Sequence, residues 1–337
     1  MIKESLAKLA QGENLSEKEM ITATTAIMEG QASPAQIGSF LTALRLKGET
    51  VEEITGAARV MREKAVKLNF KAPVVIDTCG TGGDGAQTFN ISTTVAFIVA
   101  AAGIPVAKHG NRAVSSRCGS ADVLEALGIQ VDLPPEKVEV CLKEAGIGFL
   151  FAPRFHQAMK YAAGPRKELG FRTIFNLLGP LTNPAAANCQ LVGVFLPRLT
   201  EVVAQVLDRL GVERAVVVHG DGLDELALEG ENRISVLKQG RITTYSFQAA
   251  DLNLSPAPKA ALTGGSPAEN ARITIALLRG EAEGPKLAAV LLNAAAAFLA
   301  AGVADSLQEG IALARELIRN GKAYAKLEEF RRVAGVA

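Results

Sequence analysis

The chain has 337 residues, a net charge of +1 and no tryptophan, and 48% of its residues are hydrophobic. This length predicts about two domains with sizeable cores. The near balance of 36 basic and 35 acidic residues argues against a protein built on bulk nucleic-acid binding. The four cysteines form no C-x-x-C pair, and the N-terminus has no continuous apolar stretch. We therefore expect reduced thiols in a cytoplasmic protein without a signal peptide.

The first 70 residues carry the signals of short helices. Capping boxes begin at Ser16, Ser33 and Thr50, each with Glu or Gln three residues later. Apolar residues follow each box at helical spacing, and no strand pattern interrupts them. Residues 1–70 are therefore predicted to form a small all-α domain.

From residue 74 onwards, short β-branched runs alternate with helical segments. The predicted strands are residues 74–77, 104–108, 149–151, 190–195 and 215–218, and residues 227–246 resemble an antiparallel edge. Such alternation predicts an α/β domain over residues 71–337, with a mostly parallel sheet flanked by helices. Residues 164–187, dense in Gly and Pro, are expected to form a crossing or hinge that could pack with the helical domain.

One apolar stretch, residues 287–304, approaches the length of a membrane span. It is rich in alanine and contains Asn293. We expect a buried core helix and no membrane anchor.

The strongest local signal is the glycine-rich run DTCGTGGDG at residues 77–85, which includes Gly80, Gly83 and Asp84. It follows a predicted strand and precedes a predicted helix, so its backbone N–H groups suit phosphate oxygens. A plain glycine-rich turn is the alternative. Three hydroxyls and one amide follow at residues 88–93, where they suit either a second oxyanion contact or a magnesium ligand, besides ordinary helix capping.

A second loop, KHGNRAVSSRCGS at residues 108–120, also joins a predicted strand to a helix. Ligands of α/β sheets bind at the carboxyl ends of strands, so both loops should share one crevice. The combination of cations, glycines and serines favours phosphate binding over a solvated basic loop.

Three carboxylates, Asp221, Asp224 and Glu225, follow the predicted strand at 215–218. Their position suits a magnesium ion that is shared with substrate phosphates, whereas an acidic surface turn is the alternative. His156 and Arg166 indicate little by themselves.

Taken together, these motifs resemble those of the anthranilate phosphoribosyltransferase family, over nearly the whole chain. The motifs are GTGGD at residues 80–84, NIST at 90–93, the lysine loop at 108–116, GSAD at 119–122, FAP at 151–153 with His156, NLLGPLTNP at 176–184, and Asp224 with Glu225.

The resemblance implies a small helical domain, an α/β domain and a homodimer formed through the helical domains. It implies transfer of a 5-phosphoribosyl group from phosphoribosyl pyrophosphate to the amine of anthranilate, in tryptophan biosynthesis, with magnesium as two ions. It implies no catalytic nucleophile or acid–base pair, because the arylamine exposes its own lone pair.

The resemblance also implies the site residues. Those for phosphoribosyl pyrophosphate are Gly80, Gly83, Asp84, Thr88, Asn90, Ile91, Ser92, Thr93, Lys108, His109, Gly110, Asn111, Arg112, Ala113, Val114, Ser115, Ser116 and Ser120. The implied magnesium ligands are Ser92, Asp224 and Glu225. Asn111 and Arg166 are the implied anthranilate contacts, and His156 is expected near the same channel.

Two alternatives stay open at this point. A pyrimidine nucleoside phosphorylase would cleave a similar anomeric bond, but its lysine loop differs from the run at residues 108–112. A non-catalytic nucleic-acid-binding relative would have a basic excess and a degraded Asp-Glu pair.

Overall fold

A computed structural model describes residues 2–113 and 117–335, and its first four helices form a bundle. They are α1 (Ile2–Ala10), α2 (Glu17–Met28), α3 (Pro34–Lys47) and α4 (Val51–Lys64). All three predicted capping boxes are present, with hydrogen bonds in both directions at Ser16, Ser33 and Thr50. Local sequence therefore sets the starts of α2, α3 and α4.

Seven strands form one sheet in the order β3-β2-β1-β4-β5-β6-β7. They are β1 (Ile76–Gly80), β2 (Val106–Gly110), β3 (Ile147–Phe151), β4 (Cys189–Gly193), β5 (Arg214–Gly220), β6 (Asn232–Lys238) and β7 (Arg241–Phe247). The first five are parallel to their neighbours, and β6 and β7 add an antiparallel edge. The predicted mostly parallel sheet is confirmed.

The strand predicted at residues 74–77 is displaced towards its carboxyl end. Val75 donates its N–H to Asn188 Oδ1 at 2.8 Å, and the paired strand begins only at Ile76. It then continues to Gly80, which pairs with Gly193 of β4. The glycine-rich run thus starts inside the sheet, because a parallel neighbour accompanies it.

The remaining helices lie around the sheet. They are α5 (Ile91–Ala101), α6 (Ser120–Ala126), α7 (Pro135–Glu144), α8 (Ala152–Phe155), α9 (Lys160–Leu169), α10 (Ile174–Leu181), α11 (Leu199–Arg209), α12 (Pro267–Leu278), α13 (Pro285–Ala301), α14 (Leu307–Arg319) and α15 (Lys322–Ala334). The stretch expected to be a core helix is α13, which packs against α5, α14, β4 and β5. Across the described parts of the chain, we find no helix with the length and apolar character that a membrane span needs.

Two hydrophobic cores cover the two faces of the sheet. In β5, Val216 and Val218 belong to one core and Val217 to the other, as strand alternation requires. The second core also contains Phe40 of α3 and Phe175 of α10. The helical bundle therefore shares a core with one face of the sheet, and α9 and α10 lie against α2, α3 and α4. The division near residue 70 stays a prediction.

Glu53 is a buried carboxylate that connects three segments of the bundle. Its Oε1 accepts a hydrogen bond from Leu15 N at 2.9 Å, and its Oε2 accepts from Thr50 N and Lys47 Nζ at 2.8 and 2.9 Å. We expect Glu53→Ala to lower the free energy of unfolding by about 3 kcal/mol, because it leaves the Lys47 charge unbalanced and the Leu15 N–H unpaired. Denaturant unfolding followed by circular dichroism measures this change.

The matched control is Glu29→Ala. Glu29 pairs with Lys64 at 2.6 Å, but both side chains are partly exposed to solvent. An exposed pair contributes little, so the control should change stability far less than Glu53→Ala. Equal losses in the two variants would contradict the role given to Glu53.

Candidate active site

Two connected cavities lie at the carboxyl ends of β1 and β2. The first chamber, of about 530 Å³, is lined mainly by α9, α10 and the segment around α8. The second chamber, of about 390 Å³, is lined by the glycine-rich run, the loop after β2 and the acidic pair. Residues lining both chambers are Cys79, Gly80, Thr81, His109, Gly110, Asn111, Arg166 and Asn176. Strand β1 lies between β2 and β4, so the strand order reverses at β1. Sheets of α/β proteins bind ligands at the carboxyl ends of the strands at such a point.

The second chamber brings the predicted site residues together. Those lining it are Gly80, Gly83, Asp84, Thr88, Asn90, Ile91, Ser92, Thr93, Lys108, His109, Gly110, Asn111, Arg112, Ala113, Ser120, Arg166, Asp224 and Glu225. Val114, Ser115 and Ser116 lie outside the described residues. The loops after β1, β2 and β5 thus share one crevice, while their contacts with ligands stay a prediction.

The glycine-rich run forms a tight turn over the sheet. Gly82 and Gly83 have φ angles of +66° and +75°, a region that glycine enters without strain. The Gly82 N–H donates to Asp224 Oδ2 at 2.6 Å. The turn is therefore joined directly to the acidic pair.

Asp224 and Glu225 lie half-buried in the chamber wall. Burial, and secondly the nearby Asp84, raises the pKa of Asp224 to about 7. Burial, and secondly Asp224, raises the pKa of Glu225 well above its usual range. Glu225 Oε1 accepts from Ser92 N at 3.2 Å, which places Ser92 beside the pair.

The sequence predicted that three carboxylates on one turn lie together, and this prediction is wrong for Asp221. Asp221 lies outside the chamber, is largely exposed and pairs with Lys259 Nζ at 3.1 Å. Asp221 has a φ of +43° in the turn after β5, whereas residues 224 and 225 line the chamber. The third carboxylate beside the pair is Asp84, whose Oδ2 accepts a hydrogen bond from Asp224 N at 3.4 Å.

The donor set around the pair fits a hard cation that is shared with a ligand. Within residues 2–113 and 117–335, no group of three or more His, Cys, Asp or Glu could hold a metal by itself. Magnesium characteristically takes one or two protein carboxylates and completes its coordination with phosphate oxygens and water. Asp224 and Glu225 are two such carboxylates, and Ser92 lies beside them.

Lys108 is a buried cation at the base of the second chamber, only 3% exposed. Its Nζ donates to Thr78 O and, at 3.3 Å, to Ser92 Oγ. Burial lowers its pKa, and Asp77 and Glu225 oppose that shift. The ammonium group is thus held between two acidic neighbours at fixed positions.

Asp77 is a site-supporting residue to which the sequence analysis gave no role. Its Oδ1 accepts from His109 N at 3.2 Å, and its Oδ2 accepts from Asn183 Nδ2 at 2.7 Å. Burial raises the pKa of Asp77 to about 6, and Lys108 opposes this. The sequence signal that could have identified Asp77 is its position as a carboxylate within a predicted buried strand, because an unpaired buried charge is costly.

Two predicted residues use their side chains within the protein. Asn90 makes no capping bond, although it precedes α5; it donates to Cys118 O at 3.2 Å and accepts from Asn270 Nδ2 at 2.9 Å. The Arg112 guanidinium donates to both carboxylate oxygens of Glu125, at 2.6 Å each. Asn90 therefore ties the two loops together, and Arg112 holds its loop to α6.

The first chamber has an aromatic and imidazole wall. The Arg166 guanidinium lies 5.0 Å from the centre of the Phe175 ring, and the His109 and His156 rings lie 5.0 Å apart. Burial lowers the pKa of His109 to about 3 and that of His156 to about 4, so both rings are neutral near pH 7. Both Nε2 atoms are buried without a hydrogen-bond partner.

The sequence analysis assigned no role to several residues that line the first chamber. They include Met61, Met159, Lys160, Phe175, Asn176, Gly179, Pro180 and Thr182. They come from α4, α9 and α10 and from Met159 and Thr182, which directly precede α9 and follow α10, and only packing brings these helices together. The signals in this region were the dense Gly and Pro punctuation at residues 164–187 and the motif NLLGPLTNP at 176–184.

Comparison with known proteins gives two family matches along the chain. The helical bundle domain of a glycosyl transferase family matches residues 3–65, and the a/b domain of a glycosyl transferase family matches residues 72–324. The anthranilate phosphoribosyltransferase of Moorella thermoacetica is 61% identical over 329 residues, which is 97% of each chain. The chain belongs to the anthranilate phosphoribosyltransferase family.

Solved structures of anthranilate phosphoribosyltransferases have the same fold. The enzyme of Thermus thermophilus is 48% identical with a TM-score of 0.93, covering 98% of both chains. The Saccharomyces cerevisiae enzyme in complex with phosphoribosyl pyrophosphate and magnesium is 28% identical with a TM-score of 0.90. In complex with 4-fluoroanthranilate the yeast enzyme has a TM-score of 0.89, and both yeast comparisons cover 99% of this chain and 97% of the yeast chain.

The depressed pKa of His156 makes stability depend on pH. Its pKa falls from the usual 6.5 to about 4 on folding, so protons bind the unfolded chain more tightly. The stability that the neutral ring permits is complete above pH 6.5 and is lost progressively as the pH falls from 6.5 to about 4. His156→Gln removes this linkage, so its loss of unfolding free energy between pH 7.5 and pH 5 should be about 2 kcal/mol smaller than in wild type. Denaturant unfolding at both pH values tests this, and equal losses would contradict it.

Proposed function

We propose that this chain transfers the 5-phosphoribosyl group from phosphoribosyl pyrophosphate to the amine of anthranilate, giving N-(5-phosphoribosyl)anthranilate and pyrophosphate in tryptophan biosynthesis. The carrying observation is the pair of connected chambers, one polar and one lined by aromatic, imidazole and methionine side chains. A phosphorylated sugar donor suits the former, and an aromatic acceptor suits the latter. The complexes of the yeast relative support the same pair of substrates.

The donor's phosphates lie, in this proposal, against the glycine-rich run and the loop after β2. The N–H groups and hydroxyls at residues 88–93 face the same chamber and the N-terminal end of α5. Lys108 supplies a fixed positive charge close to them. Breaking the anomeric bond places negative charge on the departing pyrophosphate, and preorganised donors stabilise it without moving.

Ser92, Asp224 and Glu225, together with the donor's phosphates, would hold magnesium as two ions. When bound, magnesium would neutralise the charge that develops on pyrophosphate. The half-buried acidic pair supports this assignment, because a cation offsets the repulsion and desolvation that raise the pKa values of both carboxylates.

Anthranilate lies in the first chamber, with its carboxylate at Arg166 and Asn111. The planar guanidinium matches a carboxylate in two-point contact. His109 Nδ1 lies 3.2 Å from Gly179 O, which only accepts, so the ring proton is on Nδ1. His109 Nε2 is then a hydrogen-bond acceptor without a donor. The amine N–H of anthranilate is a group that can donate to it.

The attacking nitrogen requires no strong base. An arylamine is neutral at pH 7, and the two neighbouring imidazoles are neutral as well. The residues of this chain therefore act by binding, orienting and excluding water, which would otherwise hydrolyse the donor.

We also propose a homodimer formed through the helical bundle in the cytoplasm. Leu46 at the end of α3 is 83% exposed, which is unusual for a large apolar side chain and supports a covered surface there. All four cysteines are outside disulfides, which supports a reducing compartment.

A fluorescence assay tests the reaction. Purified protein is mixed with anthranilate, phosphoribosyl pyrophosphate and magnesium, and the loss of anthranilate emission is followed. Loss that requires all three components is the expected result. A folded protein that leaves anthranilate unchanged but cleaves pyrimidine nucleosides with free phosphate would support the phosphorylase instead, and one that does neither would direct the tests to nucleic acid.

The acidic pair should be required for this activity. We expect Asp224→Asn and Glu225→Gln each to lower the magnesium-dependent rate by about a hundredfold, because each removes a charge that holds the cation. Asp221→Asn is the matched control on the same connection, since Asp221 is outside the chamber and pairs with Lys259. Steady-state rates over a magnesium titration measure the effect. Full activity in both pair variants, or equal loss in the control, would refute the assignment.

A further inference from the structure

The acidic pair lies on a loop that lacks regular secondary structure. Residues 223–228, called here the acidic loop, follow β5 and cross the carboxyl ends of β1, β4 and β5. The approach is so close that a Cβ on Gly193 would overlap Asp224 O, and one on Gly220 would overlap Ala227 N. Contact with the strand ends thus restricts the position of the acidic loop on one side. The loop's buried backbone groups still need hydrogen-bond partners.

Two buried asparagine side chains are those partners. Asn293 of α13 accepts from Leu226 N at 2.9 Å and donates to Leu226 O at 3.1 Å. Asn232, the first residue of β6, accepts from Ala227 N at 2.7 Å and donates to Ala227 O at 2.9 Å. Each amide pairs with both backbone groups of one residue, as a residue of a neighbouring strand does. Two consecutive residues of the acidic loop are held in this way: Leu226 by an asparagine of a helix, and Ala227 by an asparagine of the sheet.

Asn293 is unfavourable for its own helix. It lies in the middle of α13, among buried Ala, Leu and Val residues, and it is itself fully buried. Asparagine is a poor helix former, and a buried amide is costly unless it is fully hydrogen-bonded. Only its bond to Ala289 O, at 2.9 Å, stays within the helix. Its other two bonds go to the acidic loop, so the benefit of this residue lies there.

We propose that Asn293 and Asn232 are positioning residues for the acidic pair Asp224 and Glu225. They fix the backbone immediately after the pair, and thereby hold two adjacent carboxylates beside the glycine-rich run and the loop after β2. Like charges in a poorly solvated place repel each other, and a free loop would move them towards water. This inference rests on the proposed function, because it assigns the pair to magnesium and the donor.

The test uses two variants and one matched control. In Asn293→Ser, the hydroxyl can keep the bond to Ala289 O, as serine does in helices, but it is too short to reach Leu226. Asn232→Ala removes the second pair of bonds. The control is Asn188→Ala: Asn188 accepts from Val75 N and donates to Pro73 O, at 2.8 and 2.9 Å, at the opposite end of the sheet.

Kinetics separate positioning from a general structural effect. The loss of two hydrogen bonds to the acidic loop should raise the magnesium concentration for half-maximal rate, and the KM for phosphoribosyl pyrophosphate, by about tenfold in both variants. The KM for anthranilate should change by less than about twofold, since its proposed contacts, Arg166 of α9 and Asn111 after β2, belong to other segments than the acidic loop. Asn188→Ala should leave all three quantities at the wild-type values.

Calorimetric titration of phosphoribosyl pyrophosphate with magnesium gives a readout that is independent of turnover. The Kd should rise by about tenfold in the two variants, in line with the kinetic change. A wild-type protein that binds this donor but leaves anthranilate unchanged would refute the proposed function without affecting this test.

Folded variants with the wild-type Kd and magnesium dependence would overturn the positioning role. A similar loss of affinity in Asn188→Ala would also overturn it. Circular dichroism and thermal unfolding report folding. If Asn293→Ser and Asn232→Ala both fail to fold while Asn188→Ala folds, the asparagines serve the stability of the fold and the proposal is wrong.

Discussion

Four strands of the sheet end in glycine because another part of the chain occupies the space where a Cβ would be. The four are Gly80, Gly110, Gly193 and Gly220, and the groups in contact include Asp224, Ser120 and the Ala227 backbone. A side chain at any of these positions would move the acidic loop or the loop after β2 outwards. The distances among the glycine-rich run, the loop after β2 and the carboxylates therefore depend on this close approach at one edge of the sheet.

The close approach places ionisable groups where water is scarce. Burial raises the pKa of Asp77, Asp224 and Glu225 and lowers that of Lys108, so each charge depends on its neighbours. Two adjacent carboxylates and one ammonium therefore lie close together beside the glycine-rich turn. In the proposed function, a divalent cation bound together with a diphosphate would favour the ionised form of both carboxylates.

The first chamber depends on the helical bundle as well as on the sheet. Arg62 of α4 donates to Leu181 O and Leu210 O, at 2.7 and 3.1 Å, at the ends of α10 and α11. The carboxyl ends of helices carry partial negative charge and unpaired carbonyls, so a guanidinium there is favourable. Since α10 carries Phe175 and Gly179 into the chamber wall, the packing of the bundle sets the shape of the first chamber.

The sequence by itself determined what depends on neighbours along the chain. The capping boxes at Ser16, Ser33 and Thr50, the alternation of strands and helices, and the glycine-rich run at the end of a strand are local signals, and they predicted the elements and the edge of the sheet where the site lies. Tertiary structure alone decided which side chains meet. It separated Asp221 from the acidic pair and brought Asp84 to it, and it directed Arg112 to Glu125 and Asn90 to Asn270. It also made Asn293, an isolated polar residue in an apolar run, a partner of the acidic loop. Such contacts join residues far apart in sequence, and burial, which sets their charge states, is a property of the folded chain.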